Sequence, residues 1–200
     1  MSIDPKNELQ ANFCDWVTLN LSISMKIYPV STIISVLVAT SLVFSVTAKG
    51  KGLSAQEQQF VKKAAAGGLA EVKLSELAND RASNPKVKDF AKQMVSDHTQ
   101  ANNELKPIAE SNKVPVPTKL QGESEAAYKR LEKLSGARFD SAYVKVMVSD
   151  HDKTVAAFED ASSKVKDPSL KGFVDKTLPV LRQHKEHIHA IEQEMGTGKA

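Results

Sequence analysis

The chain is 200 residues long, with 27 Lys and Arg against 24 Asp and Glu, five His, one Cys and a formal net charge of +3. That length fits one domain, or one domain with a segment outside the fold. The charges are interspersed along the chain, which excludes the basic stripe that a nucleic-acid partner would need.

Residues 1–24 contain Cys14 and Trp16 and show no periodicity, so they read as an upstream extension ahead of a start at Met25. From Met25 the sequence has the parts of a secretory signal: Lys26 in a short n-region, an apolar stretch, and the small-residue site Val46-Thr47-Ala48. Residues 25–48 are therefore expected to be a signal peptide cleaved after Ala48, sending the protein to the periplasm or cell envelope. The competing reading is an inner-membrane anchor, because Val30 to Ala48 is a run of 19 uncharged residues, nearly enough to span a bilayer. Uncleaved, that segment would be the membrane contact. Loss of residues 1–48 removes the one cysteine, so neither a disulfide nor a thiolate metal ligand remains. It leaves 25 basic residues against 21 acidic ones.

Beyond Lys49 the chain reads as four long amphipathic helices separated by breakers. The first is predicted over Ser54 to Asp80, opened by a capping box of Ser54 and Glu57. Asn84-Pro85, a cap followed by proline at the first helical position, starts the second, which runs to about Ser111. The stretch VPVPT, Val114 to Thr118, cannot continue a helix. It leads into a short amphipathic piece with Leu120, Tyr128, Leu131 and Leu134, closed by Ser135-Gly136. The third long helix is predicted over Ala137 to Lys164. Asp167-Pro168 repeats the cap-proline signal and opens the fourth, which runs to about Met195, leaving residues 196–200 to fray. The bundle domain thus spans 54–195. No segment reads as a strand, so the expected class is all-α, an antiparallel four-helix bundle with one short extra helix in the long connection.

The pentapeptide MVSDH occurs twice, at Met94 to His98 and at Met147 to His151. Followed at alternating steps of three and four, each long helix shows an apolar seam interrupted by one group able to bind metal. These are Glu71, His98, His151 and His184 in chain order. Glu71 lies 13 residues before Asn84 and His98 lies 14 after it. An antiparallel hairpin brings that pair level about 20 Å from its turn. His151 lies 16 before Asp167 and His184 lies 17 after it, which levels the second pair. One carboxylate and three imidazoles are therefore expected to converge in the core, where an isolated carboxylate is costly unless it is paired or binds a cation. Neutral imidazole with carboxylate suits iron, zinc, manganese or copper. The bland alternative is a buried polar network that only specifies helix register.

Several neighbours carry secondary expectations. Asp97 and Asp150 sit about 100° around the helix from the histidines that follow them, so they are placed to orient a histidine on an adjacent helix. Met94 and Met147 precede His98 and His151 by four residues and would add a thioether around a soft ion such as copper(I), although seam methionines usually fill core. His187 stands as a reserve ligand. Asp140 and Tyr143 read as structural, Pro179 as a disturbance of the last helix, and Gly67-Gly68 as a place where helices approach closely. No Gly-rich phosphate loop and no nucleophile with its base can be picked out. The usual di-iron arrangement, a Glu from each of two helices with Glu-x-x-His from each of the other two, is also absent.

The stretches FVKKAAAGGLAEVKLSELA, MVSDHTQANNELK, LSGARFDSAYVKVMVSDHDKTVAAFE and LPVLRQH together resemble the bacterial family called domain of unknown function 4142, over about Glu57 to Ile191. The resemblance implies export and a ferritin-like helical bundle, and it carries no established activity. Two functional readings follow: an exported bundle that binds a transition metal for storage, sequestration or stress protection, and a non-catalytic envelope protein whose buried Glu and His only fix the fold. A redox enzyme would be a third, requiring turnover with peroxide or oxygen.

Overall fold

The structure, a computed structural model, describes residues 52–196, all within one of the two units into which the chain divides, 48–200. The expected upstream extension, signal peptide or anchor, and the tail after Gly196, lie outside the described residues. Four long helices and one short one are present: α1 (Ala55–Arg81), α2 (Pro85–Ser111), α3 (Gly122–Leu131), α4 (Gly136–Lys164) and α5 (Pro168–Gly196). Among the described residues there is no strand, and no helix is long and apolar enough to cross a membrane.

The start signals act as their chemistry dictates. Ser54 and Glu57 form the capping box of α1, with Ser54 N donating to Glu57 Oε2 at 2.8 Å and Glu57 N donating to Ser54 Oγ at 3.3 Å. Asn84 Oδ1 accepts from Lys86 N at 2.9 Å, and Asp167 Oδ1 accepts from Leu170 N at 2.9 Å, so both cap-proline openings are satisfied. Helix α4 starts one residue earlier than expected, at Gly136, whose φ of +61° is a conformation that glycine adopts without strain. The short helix is tighter than its apolar pattern implied, since Leu120 and Leu134 flank it. Helices α2 and α5 continue across Pro107 and Pro179.

Two carboxylates set how the helices run. Asp140, near the start of α4 and 2% exposed, accepts from Ser83 N and Asn84 N, both at 3.0 Å, and from the Ser83 hydroxyl. It therefore closes the α1–α2 turn. Glu57, in the first turn of α1, accepts through Oε1 from Lys166 N at 2.8 Å and Asp167 N at 3.0 Å, closing the α4–α5 turn. The start of α4 thus lies at the end of α1, and the start of α1 lies at the end of α4. Helices α2 and α4 run parallel, α1 and α5 run against them, and the connection carrying α3 returns along the bundle. One long crossover of this kind is the ferritin-like arrangement.

The core has two apolar clusters. The lower one, at the α1–α2 turn, includes Phe90, Met94, Phe139, Tyr143 and Met147, and the upper one, at the α4–α5 turn, includes Val61, Leu105, Phe158, Phe173 and Leu181. Between them lies a buried polar layer. Beneath that layer the hydroxyls of Ser75 and Tyr143 share a hydrogen bond of 2.7 Å, which satisfies the deepest tyrosine.

Burial works against ionisation of Glu57, but the backbone N–H groups of Asp167 and Lys166 and the Ser54 contacts lower its pKa from 4.5 to about 2. A depressed carboxylate adds stability above its ordinary value and loses it as pH falls toward the folded value. Glu57→Gln should therefore be less stable than the parent above pH 4.5, with the difference vanishing near pH 2 in urea titrations. Asp140→Ala leaves three donors at the opposite turn without their acceptor. It should cost about 2 kcal/mol by the same measurement.

Candidate metal centre

Each long helix contributes one side chain to the polar layer. Glu71 on α1 is 3% exposed, His98 on α2 is 5% exposed, and His151 on α4 and His184 on α5 are fully buried. The three imidazole centroids form a near-equilateral triangle with sides of 5.9 Å (His98 to His151), 5.3 Å (His98 to His184) and 5.7 Å (His151 to His184). One ring nitrogen from each lies within 4.8 Å of the other two.

In every ring one nitrogen is held. His98 Nδ1 donates to Glu71 Oε2 at 2.9 Å, His151 Nδ1 to the Met147 carbonyl at 2.9 Å, and His184 Nε2 to Asp97 Oδ2 at 2.8 Å. Such an acceptor fixes the tautomer and the ring plane and leaves the remaining nitrogen with its lone pair. Those remaining atoms, His98 Nε2, His151 Nε2 and His184 Nδ1, are buried without a hydrogen-bond partner. Glu71 Oε1 is likewise unpartnered and stands 3.7 Å from His151 Nε2. Four orphaned polar atoms in one layer are costly in a packed interior.

The charges in the layer are unequal. Burial opposes ionisation of Glu71, but the neighbouring imidazoles, His98 first, hold its carboxyl below the ordinary value. Burial also opposes protonation of His98, which the Glu71 carboxylate overrides, raising His98. Burial prevails at His151, which is lowered, and at His184, which is lowered to about 4 in spite of Asp97.

The structure brings together all four residues singled out on the seams, and it brings Asp97 to the neighbouring helix α5. Asp97 keeps 30% of its side chain exposed, so it joins a buried ring to solvent. Asp150 is not brought to a histidine. It is half-buried along a groove of about 1130 Å³ between α3 and α4, where burial first and the Glu71 charge second raise it to about 6. Met94 and Met147 are fully buried in the lower apolar cluster. His187 is exposed and meets Phe90 edge-on at a centroid distance of 5.3 Å, outside the triad. Phe90 also lies 6.2 Å from His151 and 6.3 Å from His184, forming an aromatic floor that sequence spacing did not single out. The Met147 carbonyl was equally out of reach, because a seam pattern says nothing of which backbone oxygen a ring will find.

Fold and site together define a class: a ferritin-like helical bundle with a buried triad of histidines that can hold a metal ion. The chain belongs to the family called domain of unknown function 4142, which is matched over residues 44–191. No curated protein matches it. Among solved structures it is similar to CopM in the Cu(I)-bound form, at 15% identity and a TM-score of 0.59, covering 70% of this chain and 96% of that one. The Cu(II)-bound form of CopM gives 18% identity, a TM-score of 0.59, and coverage of 70% and 97%. A domain of unknown function 305 fragment from Deinococcus radiodurans gives 14% identity, a TM-score of 0.64, and coverage of 72% and 99%. A Streptomyces coelicolor protein of that same type, described as secreted, gives 14% identity, a TM-score of 0.61, and coverage of 70% and 93%. At such identities the likeness is one of fold.

A histidine lowered in the folded state gives up stability as pH falls from its ordinary value to its folded one, here from 6.5 to about 4 for His184. His98, raised, does the opposite and adds stability as its proton binds. In the metal-free protein, NMR titration of the imidazole C–H signals should place His98 above 6.5 and His184 near 4, with His151 also below 6.5.

Proposed function

We propose that this is an exported metal-binding bundle that holds a transition-metal ion with His98, His151 and His184, with Glu71 at the same layer, in storage, sequestration or protection. The observation that carries the reading is the pairing of roles within each ring: one nitrogen fixed by an acceptor, the other buried and unpartnered, with a nitrogen of all three rings within 4.8 Å. A polar network that only specified register would leave those atoms and Glu71 Oε1 unsatisfied, whereas an ion takes up their lone pairs. Three imidazoles and a carboxylate suit copper, zinc, iron or manganese. The copper-bound and silver-bound forms of CopM, a protein of like fold, direct the first assay to copper. Export is supported by the signal-like segment 25–48 and by the fold shared with a protein described as secreted.

Asp97 is the orienting residue for His184 and Glu71 for His98, so their roles extend beyond charge. Met94 and Met147 fill core beneath the layer. The expected result of elemental analysis, on protein expressed from its full-length coding sequence without a histidine tag, is near-stoichiometric metal. His98→Ala and His151→Ala should each lose it while circular dichroism keeps its helical signal. Asp97→Ala should weaken binding about tenfold or more. Equal metal content in the parent and both histidine variants would overturn the reading.

A further inference from the structure

Two openings approach the polar layer, and their chemistry is opposite. One, of about 190 Å³ in the upper half of the bundle, is walled by Phe60, Leu105, Phe158 and Phe173 and edged by Lys63 and Lys153. Apolar walls and two ammonium groups disfavour the passage of a cation. The other is a crevice of about 80 Å³ between α2 and α5. Its lining runs from the exposed side chains of Gln100 and Lys176 to the buried rings of His98 and His184, so it leads from solvent toward the layer. Two carboxylates of α2 stand along it. Asp97 is 30% exposed and bonded to His184 Nε2 at 2.8 Å, and Glu104, 33% exposed, is two turns further along the helix.

The mouth of the crevice is spanned. Lys176 Nζ of α5 reaches Glu104 Oε1 of α2 at 2.6 Å, and Gln100 Nε2 donates to the same oxygen at 3.1 Å. Within the next turn of α5, Pro179 has no N–H for the Asp175 carbonyl, which removes one rung of the helix beside Lys176, Thr177 and Val180. Yielding at that point matters, because the crevice stops at the rings. His98 Nε2 and His184 Nδ1 have almost no accessible surface, so His184 or its wall must move before they are reached. We propose that the α2–α5 crevice is the entrance to the metal centre, where Glu104 and Asp97 draw a hydrated cation inward and the Lys176 ammonium, paired with Glu104, slows it. The inference rests on the metal-binding reading of the triad and adds the path by which that site exchanges its ion. Because the two partners at the mouth carry opposite charge, removing the ammonium and removing the Glu104 charge should shift uptake in opposite directions. Loss of a pair that served only packing would shift both alike.

The test is stopped-flow uptake of copper(II) by the protein expressed from its full-length coding sequence and stripped of metal, with release to EDTA followed in the same variants. Lys176→Met should take up copper about two- to fivefold faster than the parent and Glu104→Gln slower by a similar factor, both effects shrinking as salt is raised. Val180→Phe, which fills the crevice, should slow uptake and release together by about tenfold or more while metal content and Kd stay unchanged. Ala157→Phe, at the edge of the apolar opening, should change neither rate. A parent protein that takes up no copper overturns the metal-binding reading and this route with it. Normal uptake by the parent with both rates unchanged in Val180→Phe, or with both slowed by Ala157→Phe, overturns the route alone. So does a shift in the same direction, or no shift, in the Lys176 and Glu104 variants. If Val180→Phe does not fold, those two surface substitutions decide.

Discussion

Each helical hairpin is closed by a carboxylate belonging to the other. Asp140 of the second hairpin takes the backbone donors of the α1–α2 turn, and Glu57 of the first takes those of the α4–α5 turn. Two clamps at opposite ends leave the hairpins no freedom to slide past one another. The consequence for the site is metric. His151 lies 11 residues beyond Asp140, and Glu71 lies 12 before Ser83, so the Asp140–Ser83 contact alone brings the two level within about 1.5 Å of helical rise. A slip of one helical turn at either clamp would separate the groups by about 5 Å and dissolve the layer.

The polar layer divides an otherwise apolar interior, and its position explains why the core is two clusters. Apolar burial above and below drives the helices together, while the layer dictates which heights must coincide. Within the layer each histidine is oriented by a different kind of acceptor: a buried carboxylate, a helix carbonyl and a half-exposed carboxylate. These acceptors produce the spread of protonation behaviour. The ring beside the deepest anion gains proton affinity, and the two rings where burial dominates lose it.

Much of this was legible in the sequence because the signals were local or periodic. Ser54 with Glu57, Asn84-Pro85 and Asp167-Pro168 announce helix starts through capping chemistry, and the structure uses all three. The interrupted seams identified Glu71, His98, His151 and His184, because counting from the turns measures height on a rigid helix. Asp97 and Asp150 show where that legibility ends. They occupy equivalent places in the two copies of MVSDH, yet one faces α5 and holds His184, and the other faces the groove beside α3. Identical local sequence meets different neighbours, and only the tertiary arrangement separates them. The second role of Glu57, at a turn 109 residues away, was invisible for the same reason.

The layer draws one side chain from each of the four long helices, two from each hairpin, and the hairpins are covalently joined through a single crossover. Anything bound by all four groups becomes a cross-link between halves of the molecule that are far apart in the chain. Occupancy would then limit how the bundle comes apart, much as a covalent staple does, favouring concerted loss of both hairpins over peeling of one. For such a bundle, that ties persistence against proteolysis to the presence of its ligand.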